Sequence, residues 1–489
     1  MKTLRFFVAL ITLLVLAGAW IIPVQAHAML VLSIPAANSS LTSSPPQVEL
    51  YFSEPVALKL SQLKVMDANG TQVDKGDLHL NPTYFTHLVV SLPTLPIGVY
   101  QVVWRVISAT DGHQTSGSYQ FVVGKVTAEL MIPTTQQTTA SLPIADMLVK
   151  GILYLAASIL LGATIFKFLV WNPSVRAARI ASEDVPGYER FSKGLVLAAL
   201  VVFTLANAVS LMVQAGLAKG TLIGWPWQTE FRIIIATTRV GSLGILRFEA
   251  ALVLAFLFLP RENFWNRWAG LIVCLLLLLT FSLESHAAGS PRPFVPVLAD
   301  WLHLTAVSVW VGGLFAFMGA MISIRRLAPE PKTLVTSLLI PYFSNLAWVS
   351  VGILGLTGIY SAFLEVGRLD ALWTTTYGQA LIVKLTIALP MLVLGGVHFY
   401  FTRPAIRRAA TQPGGGPMLV KRFRYLLTVE AALGIVILLW VGAFTSLPPA
   451  SLTRTSGGTG QYILPNRPAA MLVIGPVQSM LTTVCQVQS

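Results

Sequence analysis

The chain has 489 residues, of which 55% are hydrophobic and only 11% charged, and its mean hydropathy is +0.71. A soluble globular protein carries about 25% charged residues, so most of this chain belongs in a lipid bilayer. The net charge of +13 does not imply a nucleic-acid partner, because Lys and Arg sit in short loops between apolar segments, where they encode topology. Cys274 lies in an apolar segment and Cys485 near the C-terminus, which supplies neither a disulfide framework nor a thiolate metal site.

In chain order, residues 1–26 read as a secretory signal peptide. Lys2 and Arg5 precede an apolar stretch from Phe6 to Ile22, then Pro23 and a Val24-Gln25-Ala26 cleavage site. Cleavage there makes His27 the mature N-terminus, whereas a cut after Ala28 would leave Met29 first. Residues 27–124 form the soluble part. Short β-rich runs (48–52, 63–66, 88–91, 100–107 and 118–123) alternate with Pro, Gly, Asn and Asp clusters, which predicts a small antiparallel, Ig-like sandwich. Residues 125–147, with the polar run from Pro133 to Ala140, read as a linker.

Eight apolar segments follow between residues 148 and 447: 148–171, 194–216, 238–260, 268–285, 298–322, 343–364, 379–401 and 425–447. If the sandwich is exported, alternate loops carry Arg176, Arg179, Arg190 and Lys193, then Arg261 and Arg267, then Arg325, Arg326 and Lys332, then Arg403, Arg407, Arg408, Lys421, Arg422 and Arg424. The opposite loops carry only Lys219, Arg232, Arg292 and Arg368. The positive-inside rule places the first set in the cytoplasm, with the sandwich and the tail, residues 448–489, on the exported side of the cytoplasmic membrane.

Two features bear chemistry that favours a metal. An N-terminal His27 presents its α-amino group and ring Nδ1 to one ion, and Asp111 and His113, two apart, share a face of an extended segment. Two imidazoles, an amine and a carboxylate make a tetragonal N,O set suited to Cu(II). Inside the apolar segments, ionisable residues are costly and mark functional positions. His286 and Glu284 close the fourth segment, and His303 sits about 7 Å into the fifth, so all three lie near the sandwich side. Arg247 and Glu249, two apart, need partners elsewhere, Lys384 can snorkel outward, and His398 falls near the cytoplasmic end. Met147, Met212, Met318, Met321 and Met391 read as packing.

The motifs resemble a known pair of bacterial copper modules. His27-Ala-Met-Leu-Val, Val48-Glu-Leu-Tyr-Phe-Ser-Glu-Pro55, the run from Gly98 to His113 and Gly117-Ser-Tyr-Gln-Phe-Val-Val123 resemble CopC, a periplasmic copper-binding sandwich. Asp300-Trp-Leu-His303 with Trp310-Val-Gly-Gly313, Tyr377 to Lys384, and Glu430-Ala-Ala-Leu-Gly434 before Pro448-Pro449 resemble CopD. The chain thus resembles a CopC–CopD fusion. The resemblance implies His27, Asp111 and His113 as Cu(II) ligands, with Glu54 as an outer-shell residue, and favours His286 and His303 in a copper path. A CopC Met-rich Cu(I) loop has no counterpart, since only Met29 and Met66 lie in this domain, and His79 and His87 read as surface or strand residues.

The expected function is copper binding and transport, not enzymatic catalysis. The sandwich captures Cu(II), and the bundle carries copper, as Cu(I) or Cu(II), across the bilayer, by resemblance inward. An ATP-driven pump is excluded by the absence of G-x-x-x-x-G-K-[ST] and of a sizeable cytoplasmic domain. Two rival expectations are a copper chaperone or assembly factor that serves a partner cuproenzyme or another periplasmic copper protein, and a monooxygenase using the same histidine brace. The small sandwich and the charged Asp111 weigh against the latter.

Overall fold

The computed structural model describes residues 28–82, 84–109, 112, 114–124, 136–139, 144–179, 186–258, 264–289, 292–412, 416–447 and 450. The predicted signal peptide, His27, Asp111, His113 and almost all of the tail lie outside them.

The N-terminal unit is a β-sandwich. Strands β1 (Leu30–Ile34), β3 (Gln47–Phe52), β6 (Tyr84–Ser91) and β5 (His79–Asn81) form one sheet in the order β1-β3-β6-β5. The second sheet runs β2 (Ser40–Leu41), β8 (Gln114–Val123), β7 (Gly98–Ile107) and β4 (Gln62–Met66), and β9 (Gln136–Thr139) pairs with β8. Period-two alternation drives the pairing. Val48, Leu50 and Phe52 of β3 point inward and meet Val102, Trp104 and Val106 of β7, with Tyr119 and Phe121 of β8. Trp104 packs edge-on against Phe52 at 5.4 Å, which closes the two sheets on each other. The predicted strands are all present.

The stretch read as a linker is more ordered than expected at two places. β9 pairs antiparallel with Thr115–Ser118 of β8, and the first long helix already begins at Ile144. Pairing along a sheet edge uses main-chain groups, so it leaves no hydrophobic alternation in the sequence.

Among the described residues eight helices are long and apolar enough to cross a membrane, matching the eight predicted segments: α1 (Ile144–Ala177), α2 (Pro186–Lys219), α4 (Arg239–Phe258), α5 (Phe264–Ser282), α6 (Phe294–Ser323), α7 (Pro329–Val366), α8 (Thr376–Ala409) and α9 (Pro417–Phe444). A short α3 (Thr229–Thr237) lies before α4. The chain is a multi-pass membrane protein. Single π-helical turns interrupt α1 at Lys167–Trp171, α6 at Ser308–Gly312 and α8 at His398–Thr402.

Helix α1 is the centre of the bundle. Its small face, Ala156, Ala157, Ser158 and Gly162, lets α6 approach so closely that a Cβ on Gly162 would lie 2.4 Å from the Gly312 carbonyl carbon. The Ser158 and Ser308 hydroxyls share a 3.0 Å hydrogen bond across this contact. The bundle ends near the sandwich are those of α1 (start), α2 (end), α4 (start), α5 (end), α6 (start), α7 (end), α8 (start) and α9 (end).

Candidate functional site

His27, Asp111 and His113 lie outside the described residues, but the segments that carry them converge. The Thr115 hydroxyl donates to the Ala28 carbonyl at 2.6 Å, and the Met29 N–H donates to the Ser53 hydroxyl at 3.0 Å. Val56 bridges Ser108, and the Ala109 N–H donates to the Pro55 carbonyl at 3.0 Å. The Ala28–Met29 segment, the Ser53–Val56 segment and the two ends of the β7–β8 turn therefore meet at one end of the sandwich. Glu54 is fully buried there, at 0% exposure. The structure brings its position and the neighbours of the three predicted ligands into one locus.

That locus rests on the bundle. Gly112, at the turn between Asp111 and His113, has φ +71°, the left-handed region that glycine tolerates best. A Cβ there would stand 3.2 Å from Gln214 Oε1 of α2 and 3.3 Å from Val240 Cγ2 of α4. The Arg239 N–H donates to the Ala109 carbonyl at 3.0 Å. Beside these polar contacts Ala57, Leu60 and Ile107 of the sandwich pack on Ala215, Ala218 and Ile234 of the bundle. Apolar burial of this kind fixes a docked position.

Below the turn a chain of hydrogen bonds runs across three helices. Gln214 Nε2 donates to Asp146 Oδ1 at 3.0 Å, and the Ser446 hydroxyl donates to Asp146 Oδ2 at 3.3 Å. Lys150 pairs with Asp146 at 2.8 Å, one turn along α1. The next residue, Leu447, meets His286 Nε2 with its carbonyl at 3.0 Å. His286 is thus linked to the sandwich turn through the ends of α1, α2 and α9. Glu284 is committed differently: it pairs with Arg247, whose guanidinium also lies 4.1 Å over the Phe281 ring and bonds Thr280. This is the partner that Arg247 lacked in the sequence.

His303 is deeper than the sequence suggested. Helix α6 starts at Phe294 because Pro293 and Pro296 fit a helix's beginning, and His303 follows Phe294 by nine residues, about 14 Å of rise instead of 7 Å. Its Nδ1 meets Thr357 Oγ1 at 2.9 Å, while that hydroxyl donates to the Ile353 carbonyl at 2.7 Å. Thr357 has one proton to give, so His303 donates through Nδ1–H and Nε2 carries the lone pair, the form of imidazole that binds a metal.

Sequence reading missed the company His303 keeps. Asp300 lies one turn before it on α6, against Ser282 and Ser285 at the end of α5. Tyr377 of α8 donates to Glu365 at the end of α7, and Lys384 interacts with both Glu365 and Asp300. Lys384 does not snorkel into solvent: its ammonium stands 5.2 Å from the Phe444 ring centre. The missed signal was the pairing of acids on α6 and α7 with a lysine on α8 at matching depth from the same membrane face.

The sandwich's other histidines have structural partners. His87 stacks on Tyr51 at 3.9 Å and bonds Glu49 at 2.9 Å, and burial lowers its pKa against the opposing pull of Glu49. His79 contacts the Asp77 carbonyl through Nδ1 at 2.7 Å. Among the methionines, Met321 and Met391 are buried in the bundle's packed interior.

Comparison with known proteins matches three regions of the chain. Residues 30–124 match the CopC domain, residues 141–291 the copper resistance protein D-like N-terminal domain, and residues 337–444 copper resistance protein D. The copper transport protein CutJ of Bacillus subtilis (strain 168) is 32% identical over 433 residues, which is 86% of this chain and 74% of that protein. Protein YobA of Escherichia coli (strain K12) is 35% identical over 124 residues, 25% of this chain and 95% of YobA. The crystal structure of CopC from Methylosinus trichosporium OB3b, 33% identical, matches 20% of this chain and 93% of that one, with a TM-score of 0.19. The chain belongs to the copper resistance and transport family in which a CopC domain and CopD are joined in one polypeptide.

Proposed function

We propose that the chain binds Cu(II) on the exported side of the cytoplasmic membrane and carries copper inward through the bundle. His27, through its α-amino group and ring, with His113 and Asp111 holds the ion, and the buried Glu54 supports the site from behind. The observation that carries this reading is the seating of the site-bearing turn on α2 and α4, with Gly112 against Gln214 and Val240. A captured ion is then released directly above the bundle, beside the bonded line that leads through Asp146 to His286. From there the lone pair of His303 Nε2, one turn from Asp300 on α6, is the next imidazole donor along the path. The Asp300 carboxylate offsets the ion's charge where the surrounding medium does not.

The test is copper accumulation in cells expressing the full chain, compared with a bundle-only chain and with His113→Ala. Accumulation by the full chain and its loss in both others supports the reading. Nitrogen-coupled Cu(II) spin resonance, lost in His113→Ala, is the matching observation on the sandwich. No accumulation, together with loading of a separate copper protein, would instead make the chain a delivery factor.

A further inference from the structure

A second polar locus lies deeper, away from the sandwich. His398 opens the π-helical turn of α8, and Trp310 sits in that of α6, two of the three such turns among the described residues of the bundle. π-Helical turns occur often at functional sites. Glu430 of α9 faces both. Trp310 Nε1–H donates to Glu430 Oε1 at 3.0 Å, and Glu430 Oε2 stands 3.5 Å from His398 Nε2. The site is enclosed, with His398 6% and Glu430 2% exposed.

Neither ring nitrogen of His398 makes a hydrogen bond. A buried imidazole without partners is costly, and 3.5 Å is too long for the hydrogen bond that would relieve it. The separation fits a bridged ion. Two first-row metal bonds of about 2.0–2.1 Å span an N···O distance of about 3.5 Å at an angle of roughly 115–120°. The two groups line a cavity of about 60 Å³ whose other walls are mostly aromatic and aliphatic, with Ser344 adding a hydroxyl. That space holds an ion with a water or two completing its coordination.

The locus lies farther from the sandwich than His303, near the middle of α6 and α9. Trp310 follows Phe294 by 16 residues, about 24 Å of helix rise, against about 14 Å for His303. We propose that His398 and Glu430 form a second copper site deeper in the path than His303, holding the ion through one imidazole nitrogen and one carboxylate oxygen while Trp310 fixes the carboxylate. The proposal rests on copper crossing the bundle. A site with two protein ligands and open positions binds weakly enough to release its ion, which passage requires.

The experiment uses the full chain in lipid nanodiscs and counts bound copper per chain, once with Cu(II) and once with Cu(I) under ascorbate. The two arms identify the oxidation state the site takes. His398→Ala and Glu430→Gln are expected to bind one copper fewer than the parent in at least one arm, or to weaken that copper at least tenfold. Helical circular dichroism and the sandwich's Cu(II) spin-resonance spectrum stay unchanged. His398→Cys restores the Cu(I) count, since a thiolate replaces the imidazole as donor; Glu430→Gln keeps the Trp310 bond and guards against a folding artefact. An unchanged copper count in His398→Ala overturns the site. So does lost accumulation in cells with an unchanged count, which would make the pair a proton or packing device. If the parent itself accumulates no copper, the transport reading fails, and the copper count still decides the site.

Discussion

The close approach of α1 and α6 makes Gly312→Ala a quantitative test of the bundle that positions the proposed copper path. A Cβ at residue 312 would stand 1.8 Å from the Ser158 carbonyl oxygen and 3.1 Å from Gly162 Cα. Reaching the 3.4 Å of ordinary contact requires the helices to separate by about 1.6 Å. Overpacking of this kind costs about 1–3 kcal/mol. The Ser158–Ser308 hydrogen bond breaks at that separation, and such bonds contribute about 0.6 kcal/mol in a membrane. The expected loss is about 2–4 kcal/mol, roughly a 30- to 1,000-fold change in the unfolding equilibrium. Unfolding in mixed detergent–SDS micelles, followed by far-ultraviolet circular dichroism, measures it. Gly352→Ala on α7 is the control: a Cβ there meets nothing within 4 Å, so only a small gain in helix propensity is expected. If Gly312→Ala is within 0.5 kcal/mol of Gly352→Ala, the helices are not in this register.

His303→Leu keeps apolar bulk and should abolish copper accumulation while the sandwich still loads; accumulation at the parent level, or a loss that merely follows loss of protein from the membrane, would make His303 a packing residue. Ile234→Asp places a carboxylate against Ala57, Leu60 and Ile107, where an unpaired charge costs several kcal/mol, so the sandwich should undock. Its Cu(II) spectrum should survive while accumulation falls, and undiminished accumulation would show that docking is dispensable. In the isolated sandwich, residues 27–124, His87 has a folded pKa below the ordinary 6.5, chiefly through burial. The unfolded chain then binds the extra proton, so the stabilisation is fully present above 6.5 and is lost as pH falls through and below that value. His87→Gln should flatten this part of the Tm–pH profile; coincident profiles would remove His87 from the balance.

Much of this architecture was legible in the residues. Alternation identified β3, β4, β6, β7 and β8, because one face of each must be apolar to close the sandwich. Length and hydropathy identified eight spans, because about 20 apolar residues are needed to cross a bilayer. The first strand was not read, since Leu30-Val-Leu-Ser-Ile lacks a clean polar alternation and holds its place by pairing with β3. The locus at the sandwich end was approached through the types of His27, Asp111 and His113. Its seating on Gln214 and Val240 is a tertiary contact between segments about 100 residues apart, and no local pattern encodes it. Lys384 was misjudged for a related reason. In isolation a lysine within reach of an interface snorkels, but here acids on two neighbouring helices hold it inside.

The deeper polar locus was hidden for a geometric reason. A helix advances about 100° per residue, so one extra residue in a π-helical turn rotates everything beyond it by that amount relative to an ideal helix. Residues on either side of Ser308–Gly312 and of His398–Thr402 therefore cannot be assigned to faces by counting in steps of 3.6. On an uninterrupted α8, His398 follows Met391 by seven residues and shares its stripe, so it reads as one more residue near a helix end. The turn that begins at His398 sends the chain beyond it onto a new face while His398 itself stays against Phe423 and Glu430, with ring centres 5.0 Å apart in the first pair. The same irregularity in α6 sets Trp310 opposite. The departure in α6, which has no signature in hydropathy, sets the indole in one cavity with a carboxylate of α9 and the imidazole at which regular α8 ends.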